Sequence, residues 1–280
     1  MTEIQAFILG LIQGLAEFLP ISSSGHLTLG QMFFNLNDVP MTLDILLHLG
    51  TLLAVLIAFW DTIRQLIVEA FRMIGDIFTG KFTLKTNDPQ RRMIFMLFVA
   101  LLPLLVFFFI KDWYTSLAAD NDIIVEGVCF LITAGLLYLA DHLTPGHRTA
   151  KNMRYRDALL IGTLQGIAPL PGVSRSGSTI SAGIFAGLDR EFAVAFSFIL
   201  GVPAVLGANI FEVKDAVEAG LQMDLLPALI GMAVACVVGI ASIMMVRKLA
   251  RSGNFKLFTW YTAILGTVTV VIGIAEKFIG

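Results

Sequence analysis

Six apolar stretches, each long enough at about 1.5 Å rise per helical residue to cross a hydrocarbon core of roughly 30 Å, constrain this chain first. They read as spans at 42–60, 91–110, 122–140, 191–212, 225–246 and 257–275. A segment in lipid must satisfy its own backbone hydrogen bonds, so repeated spans of this length predict a helical bundle. The composition agrees. Of 280 residues, 57% are hydrophobic and 14% charged, and the mean hydropathy is +0.84, which excludes a water-soluble enzyme and leaves no length for a second, soluble domain. The expected fold is an all-α polytopic membrane protein, one membrane domain over 1–280, with no nucleic-acid partner. The opening "MTEIQAFILG" has no basic start or small-residue cleavage pattern, so the first apolar segment is expected to be retained. Cys129 and Cys236 lie inside apolar runs without metal or disulfide spacing and are expected to pack.

Two further apolar stretches, 5–19 and 158–170, are shorter and end in "FLPISSSG" and "PLPGVSRSG". Their length and their breaks at proline and glycine suit re-entrant helical hairpins, which enter the membrane and leave on the same side. Positive charge predicts sidedness, because short cytoplasmic loops collect Lys and Arg. Fifteen of the nineteen Lys and Arg fall in 61–92, in 141–157, at Arg190 and in 247–256. The opposite loops hold Lys111, Lys214 and Lys277 beside Asp112, Asp120, Asp122, Glu212, Asp215, Glu218 and Asp224. This path closes only if the first hairpin enters from outside and the second from inside. Amphipathic stretches at 61–77 and 212–223 are expected to lie along the interface.

A shift of 152 residues aligns "QGLAEFLPISSSGH" with "QGIAPLPGVSRSGS" without a gap. Gln13, Gly14, Ala16, Ser22, Ser24 and Gly25 match Gln165, Gly166, Ala168, Ser174, Ser176 and Gly177. The order of hairpin, span, amphipathic stretch and two spans repeats as well. The charge rule sets the halves, approximately 1–140 and 153–280, in opposite orientations. An inverted repeat of this kind builds a polar site where two broken helices meet.

Each tip then leads into a helix through "SSSG" or "SRSG". Serine caps helix starts, and free N–H groups at a helix N-terminus attract anions, so each tip is a candidate phosphate cradle. Arg175 is costly in a membrane and binds phosphate through two nitrogens at once. Glu17 lies one helical turn after Gln13, on the same face, placed to act as general base or to hold a divalent cation. His26 offers proton transfer near neutral pH. A serine polarised by such neighbours attacks phosphorus, or water does so directly. The plainer reading has the serines and glycines packing helices together and Gln13 and Gln165 bonding across the hairpins. His48 is assigned to structure, and Glu126 to the interface at the outer end of its span.

With these residues in view, the sequence resembles the undecaprenyl pyrophosphate phosphatase, or bacitracin-resistance, family over essentially its whole length. The likeness rests on Gln13 to Glu17, on "PISSSGH" at Pro20 to His26 and on "PGVSRSGST" at Pro171 to Thr179. Gln13 stands where many members carry glutamate, and Ser24 where threonine is common. The resemblance implies a multi-pass enzyme of the bacterial inner membrane that hydrolyses undecaprenyl pyrophosphate to the monophosphate. It implies a divalent cation, Mg²⁺ or Ca²⁺, at Glu17 with Gln13, and a site open to the periplasm or cell exterior. By matching positions it implies Glu17, Ser23, His26 and Arg175 as the catalytic set. Substrate contacts are expected from Gln13, Ser22, Ser24, Gly25, Ser174, Ser176, Gly177 and Thr179. Monomer and homodimer are both open. The rival class is an inverted-repeat transporter or flippase of a phosphorylated lipid. A type 2 phosphatidic acid phosphatase fits poorly, since His142 and His147 fall in the basic loop.

Overall fold

A computed structural model of the chain describes residues 1–34, 36, 41–84, 86–110, 123–218 and 225–279. These form eleven helices and no strand: α1 (Glu3–Ala16), α2 (Ser23–Phe33), α3 (Met41–Ala58), α4 (Trp60–Phe78), α5 (Pro89–Phe109) and α6 (Ile124–His142), followed by α7 (Tyr155–Ile167), α8 (Arg175–Phe185), α9 (Arg190–Glu218), α10 (Leu225–Ser252) and α11 (Lys256–Ile279). Five of them, α5, α6, α9, α10 and α11, are long and apolar enough to cross a bilayer, and α3 with α4 makes a sixth candidate. The chain is an all-α, multi-pass membrane protein.

Helix ends shift from the sequence reading in places, as where α10 runs to Ser252 instead of stopping at 246, and two elements depart in their course. The span expected at 42–60 stops at Ala58, and the chain turns through 85° at Phe59 into α4. Hydropathy runs on through Trp60, whereas the apolar stripe of α4 buries Ile63 and Leu66 and needs a new direction. The stretch at 212–223 is no separate helix as far as it is described. Residues 212–218 continue α9, and 219–223 lie outside the described residues. Lys85, Lys111, Asp112, Asp120, Asp122 and Asp224 also lie outside them.

Close helix contacts are made at small residues, as lipid-embedded bundles require where no water drives association. Gly10 of α1 lies against the Gly231 backbone of α10, and Gly162 of α7 against the Ala100 carbonyl of α5, with no room for a Cβ at either. One end of the bundle gathers the basic loops. Arg92 donates to the carbonyls of Ala150 and Met153, Arg190 to those of Ala140 and Leu143, and Arg247 and Arg251 both bind Glu191. Asp141 accepts from the Phe255 amide at 2.8 Å, which ties the start of α11 to the same end.

Both broken segments are hairpins. Gly30 of α2 packs on Leu9 and Ile12 of α1, so α2 runs back alongside α1. The second hairpin leaves the basic end with α7 and returns to it after α8. There the Arg148 amide donates to the Gly187 carbonyl at 3.2 Å and the Asp189 amide to the Arg148 carbonyl at 2.8 Å. Phe18 anchors the first turn in the core, edge-on to Phe198 at 5.3 Å and against Gly239 of α10.

Candidate active site

The two hairpin turns touch. Arg175 Nη2 donates to Glu17 Oε1 at 2.7 Å, Ser176 Oγ to the Leu19 carbonyl at 3.3 Å, and Gly177 lies against Pro20. Glu17 is 7% exposed. Its other oxygen, Oε2, accepts from Ser23 Oγ at 2.7 Å and from Gln13 Nε2 at 3.2 Å. One carboxylate therefore joins the last turn of α1, the first residue of α2 and the first residue of α8. Arg175 Nη1 and Gln13 Oε1, both buried, have no hydrogen-bond partner among the described residues.

Local backbone explains why these groups converge. Ser22, just before α2, has a φ of 71°, a left-handed conformation that a residue with a Cβ adopts only at a cost. The reversal it makes lets Ser23 reach Glu17. At the second turn Gly172 takes the left-handed position, with φ 88°, against the Glu126 backbone. Ser174 then caps α8, its Oγ accepting from the Gly177 amide at 3.1 Å. Its own amide donates to Thr133 Oγ1 of α6 at 3.0 Å.

The structure thus brings Gln13, Glu17, Ser23 and Arg175 into one cluster, with Ser22, Ser24, Ser174, Ser176 and Gly177 lining the turns around it. Ser22 and Ser24 hydroxyls lie 3.3 Å apart, as do those of Ser174 and Ser176. Gly25 faces the Phe130 ring, so its lack of a side chain serves packing. Thr179 sits a turn deeper, its hydroxyl bonded to the Arg175 carbonyl at 2.8 Å and to Ser197 Oγ at 2.5 Å. His26 turns to Tyr261 and the Ser22 carbonyl, with neither ring nitrogen bonded to Ser23 or Glu17. Gln13 bonds within its own hairpin, and the side-chain amide of Gln165, also buried, has no hydrogen-bond partner among the described residues.

Four contributors escape sequence reasoning: Gly201 of α9, against which the Arg175 guanidinium lies, with Thr133, Ser197 and Tyr261. The polar ones carry a faint signal as hydroxyls inside apolar spans. Gly201 carries none. His48, set aside as structural, donates from Nδ1 to the Asp44 carbonyl, 2.8 Å away, and lies within electrostatic reach of Glu17.

Comparison with known proteins gives a consistent picture. The family model described as bacitracin resistance protein BacA matches residues 6–268. An undecaprenyl-diphosphatase of Alkaliphilus metalliredigens is 38% identical over 277 residues, covering 98% of this chain and 100% of the relative. One of Treponema denticola is 40% identical over 271 residues, with 95% and 96% covered, and one of Desulforapulum autotrophicum 36% over 272, with 96% and 98% covered.

Proposed function

The chain belongs to the bacitracin resistance protein BacA family, and on that footing we propose that it hydrolyses undecaprenyl diphosphate to undecaprenyl phosphate and inorganic phosphate. The observation that carries this reading is the Ser23–Glu17–Arg175 constellation: a hydroxyl on a carboxylate, and an arginine on that carboxylate with a nitrogen to spare. The polyprenyl tail stays in lipid and the diphosphate lies between the turns. Phosphoryl transfer gains most of its rate from positioning and from neutralising charge on the phosphate oxygens, which an arginine fork performs well.

Arg175 Nη1 binds a phosphate oxygen first. As the guanidinium moves toward phosphate, Glu17 is released from it and takes the Ser23 proton. Ser23 Oγ then bonds to the terminal phosphorus, the bridging P–O bond breaks and undecaprenyl phosphate leaves, taking the proton from Glu17 and restoring its carboxylate. Water, with Glu17 again as base, cleaves the phosphoserine and restores the hydroxyl. Attack by water on the diphosphate itself requires the same base and anchor; trapping a phosphoserine separates the two routes.

The same donor set bears on a divalent cation, Mg²⁺ or Ca²⁺. Among the described residues no three His, Cys, Asp or Glu side chains converge to hold a metal ion. Gln13 Oε1 and Glu17 do offer hard oxygens side by side, a pair that suits a cation shared with substrate phosphates. Such a cation supplies charge neutralisation. The site opens to the periplasm or cell exterior of a bacterial inner membrane, in the orientation that the basic end favours. The similar packing of the two hairpins, α1 on α10 and α7 on α5, supports the inverted repeat over 1–140 and 153–280.

Purified protein in detergent tests the reading. Release of inorganic phosphate from undecaprenyl diphosphate with Mg²⁺ or Ca²⁺, abolished by Arg175→Ala, supports it. Binding of the lipid without turnover refutes it in favour of a transporter.

A further inference from the structure

Tyr261, on α11, meets His26 more closely than packing requires. Its Oη lies 2.5 Å from His26 Nε2, and the two rings stack with centroids 5.6 Å apart and planes inclined at 26°. Phe130 of α6 also meets the imidazole, edge-on at 6.3 Å. The second ring nitrogen, Nδ1, lies 2.8 Å from the Ser22 carbonyl. A carbonyl only accepts, so Nδ1 carries the hydrogen, and in the neutral ring Nε2 is then the acceptor of the tyrosine hydroxyl. The two partners fix both the ring and its tautomer. Ser22 is the residue held left-handed immediately before Ser23.

We infer that Tyr261 is a positioning residue: through His26 and the Ser22 carbonyl it holds the turn that presents Ser23 to Glu17. The inference rests on the phosphatase reading for what Ser23 does, and on geometry alone for the chain of contacts. It gives α11, which otherwise packs mainly on α6, a direct connection to the first hairpin. It also gives His26 a role in shaping the turn rather than in handling the proton of Ser23.

The test uses the full chain in detergent with ¹⁵N-labelled histidine, the His26 signals being assigned by their loss in His26→Gln. In the parent protein His26 should show a protonated Nδ1 and a hydrogen-bonded Nε2. In Tyr261→Phe the Nε2 resonance should move toward that of an unbonded acceptor. Phosphate release should fall about fivefold to tenfold in kcat, the scale of one neutral hydrogen bond, with KM nearly constant because Arg175 is untouched. Tyr261→Leu, which also removes the stacking ring, should lower kcat further. An unchanged Nε2 resonance, or a shifted resonance with unchanged kcat in both variants, overturns the inference. If the parent protein releases no phosphate, the phosphatase reading fails, while the resonances still decide whether Tyr261 orients His26.

Discussion

Arg175 meets Glu17 at 2.7 Å across 158 positions of sequence, and this pair, 19% and 7% exposed at the side chains, is the ion pair that joins one hairpin to the other. A buried charge stripped of its partner is far more costly than the pair itself is stabilising, with penalties of about 3–5 kcal/mol. Arg175→Ala should therefore lower the thermal midpoint as well as abolish phosphate release. Glu17→Gln together with Arg175→Met should recover much of the midpoint and none of the activity. Thermal unfolding in detergent and a phosphate assay on the same samples check both halves.

Gly201 sets the space in which the guanidinium lies. A Cβ there collides with Arg175 Nη1, the far end of a flexible side chain, so the helix can accept the methyl while the arginine is displaced. Gly201→Ala should leave the midpoint within a few degrees of the parent and cut kcat/KM by at least about tenfold, the effect expected of a misplaced anchor. Loss of folding with no separate loss of turnover would contradict this account.

Ser22 stands in a conformation that glycine adopts freely. Replacing it with glycine should stabilise the protein by about 1 kcal/mol, and replacing it with valine should destabilise it by at least as much. The two midpoints should therefore move in opposite directions. If Ser22→Gly also loses activity, rigidity of the turn matters for presenting Ser23, a trade between stability and function found at many sites.

Ser23 and Ser24 are neighbours with different surroundings: Ser23 donates to Glu17, and Ser24 lies against the Ser22 hydroxyl. Ser23→Ala should reduce turnover by roughly a hundredfold or more, whereas Ser24→Ala should cost only a few-fold. Equal and small effects would remove Ser23 as nucleophile and favour direct attack by water. Rapid-quench detection of a phosphoserine in the parent protein would exclude that route.

Much of this arrangement is legible in the sequence because hydrocarbon penalises exceptions. Five long spans stand out by hydropathy, and the bend at Phe59 falls where a uniformly apolar run becomes an amphipathic one. Glu17 and Arg175 stand out as ionisable groups in apolar surroundings, and a matching frame 152 residues apart links their two segments. What the sequence conceals is which uncharged residue faces which. Gly201 acts through the atom it lacks, and Tyr261 resembles any aromatic near a span end until the fold sets it on His26. Thr179 and His26 show the converse. Their residue types suggest phosphate and proton chemistry, and their hydroxyl and ring are already committed to Ser197 and Tyr261.

The helix that follows Arg175 is enclosed throughout, with every residue from Ser176 to Ile184 buried, four of them serine or threonine. A segment this polar gains little by partitioning into lipid alone. Two of its hydroxyls, on Ser176 and Thr179, bond to the Leu19 carbonyl of the first hairpin turn and to Ser197 of α9, so the helix is best housed once those elements are in place. The second hairpin should therefore close late in assembly, and a damaged neighbour such as α6 or α9 should leave it more open to proteases, which limited proteolysis of such a variant would read.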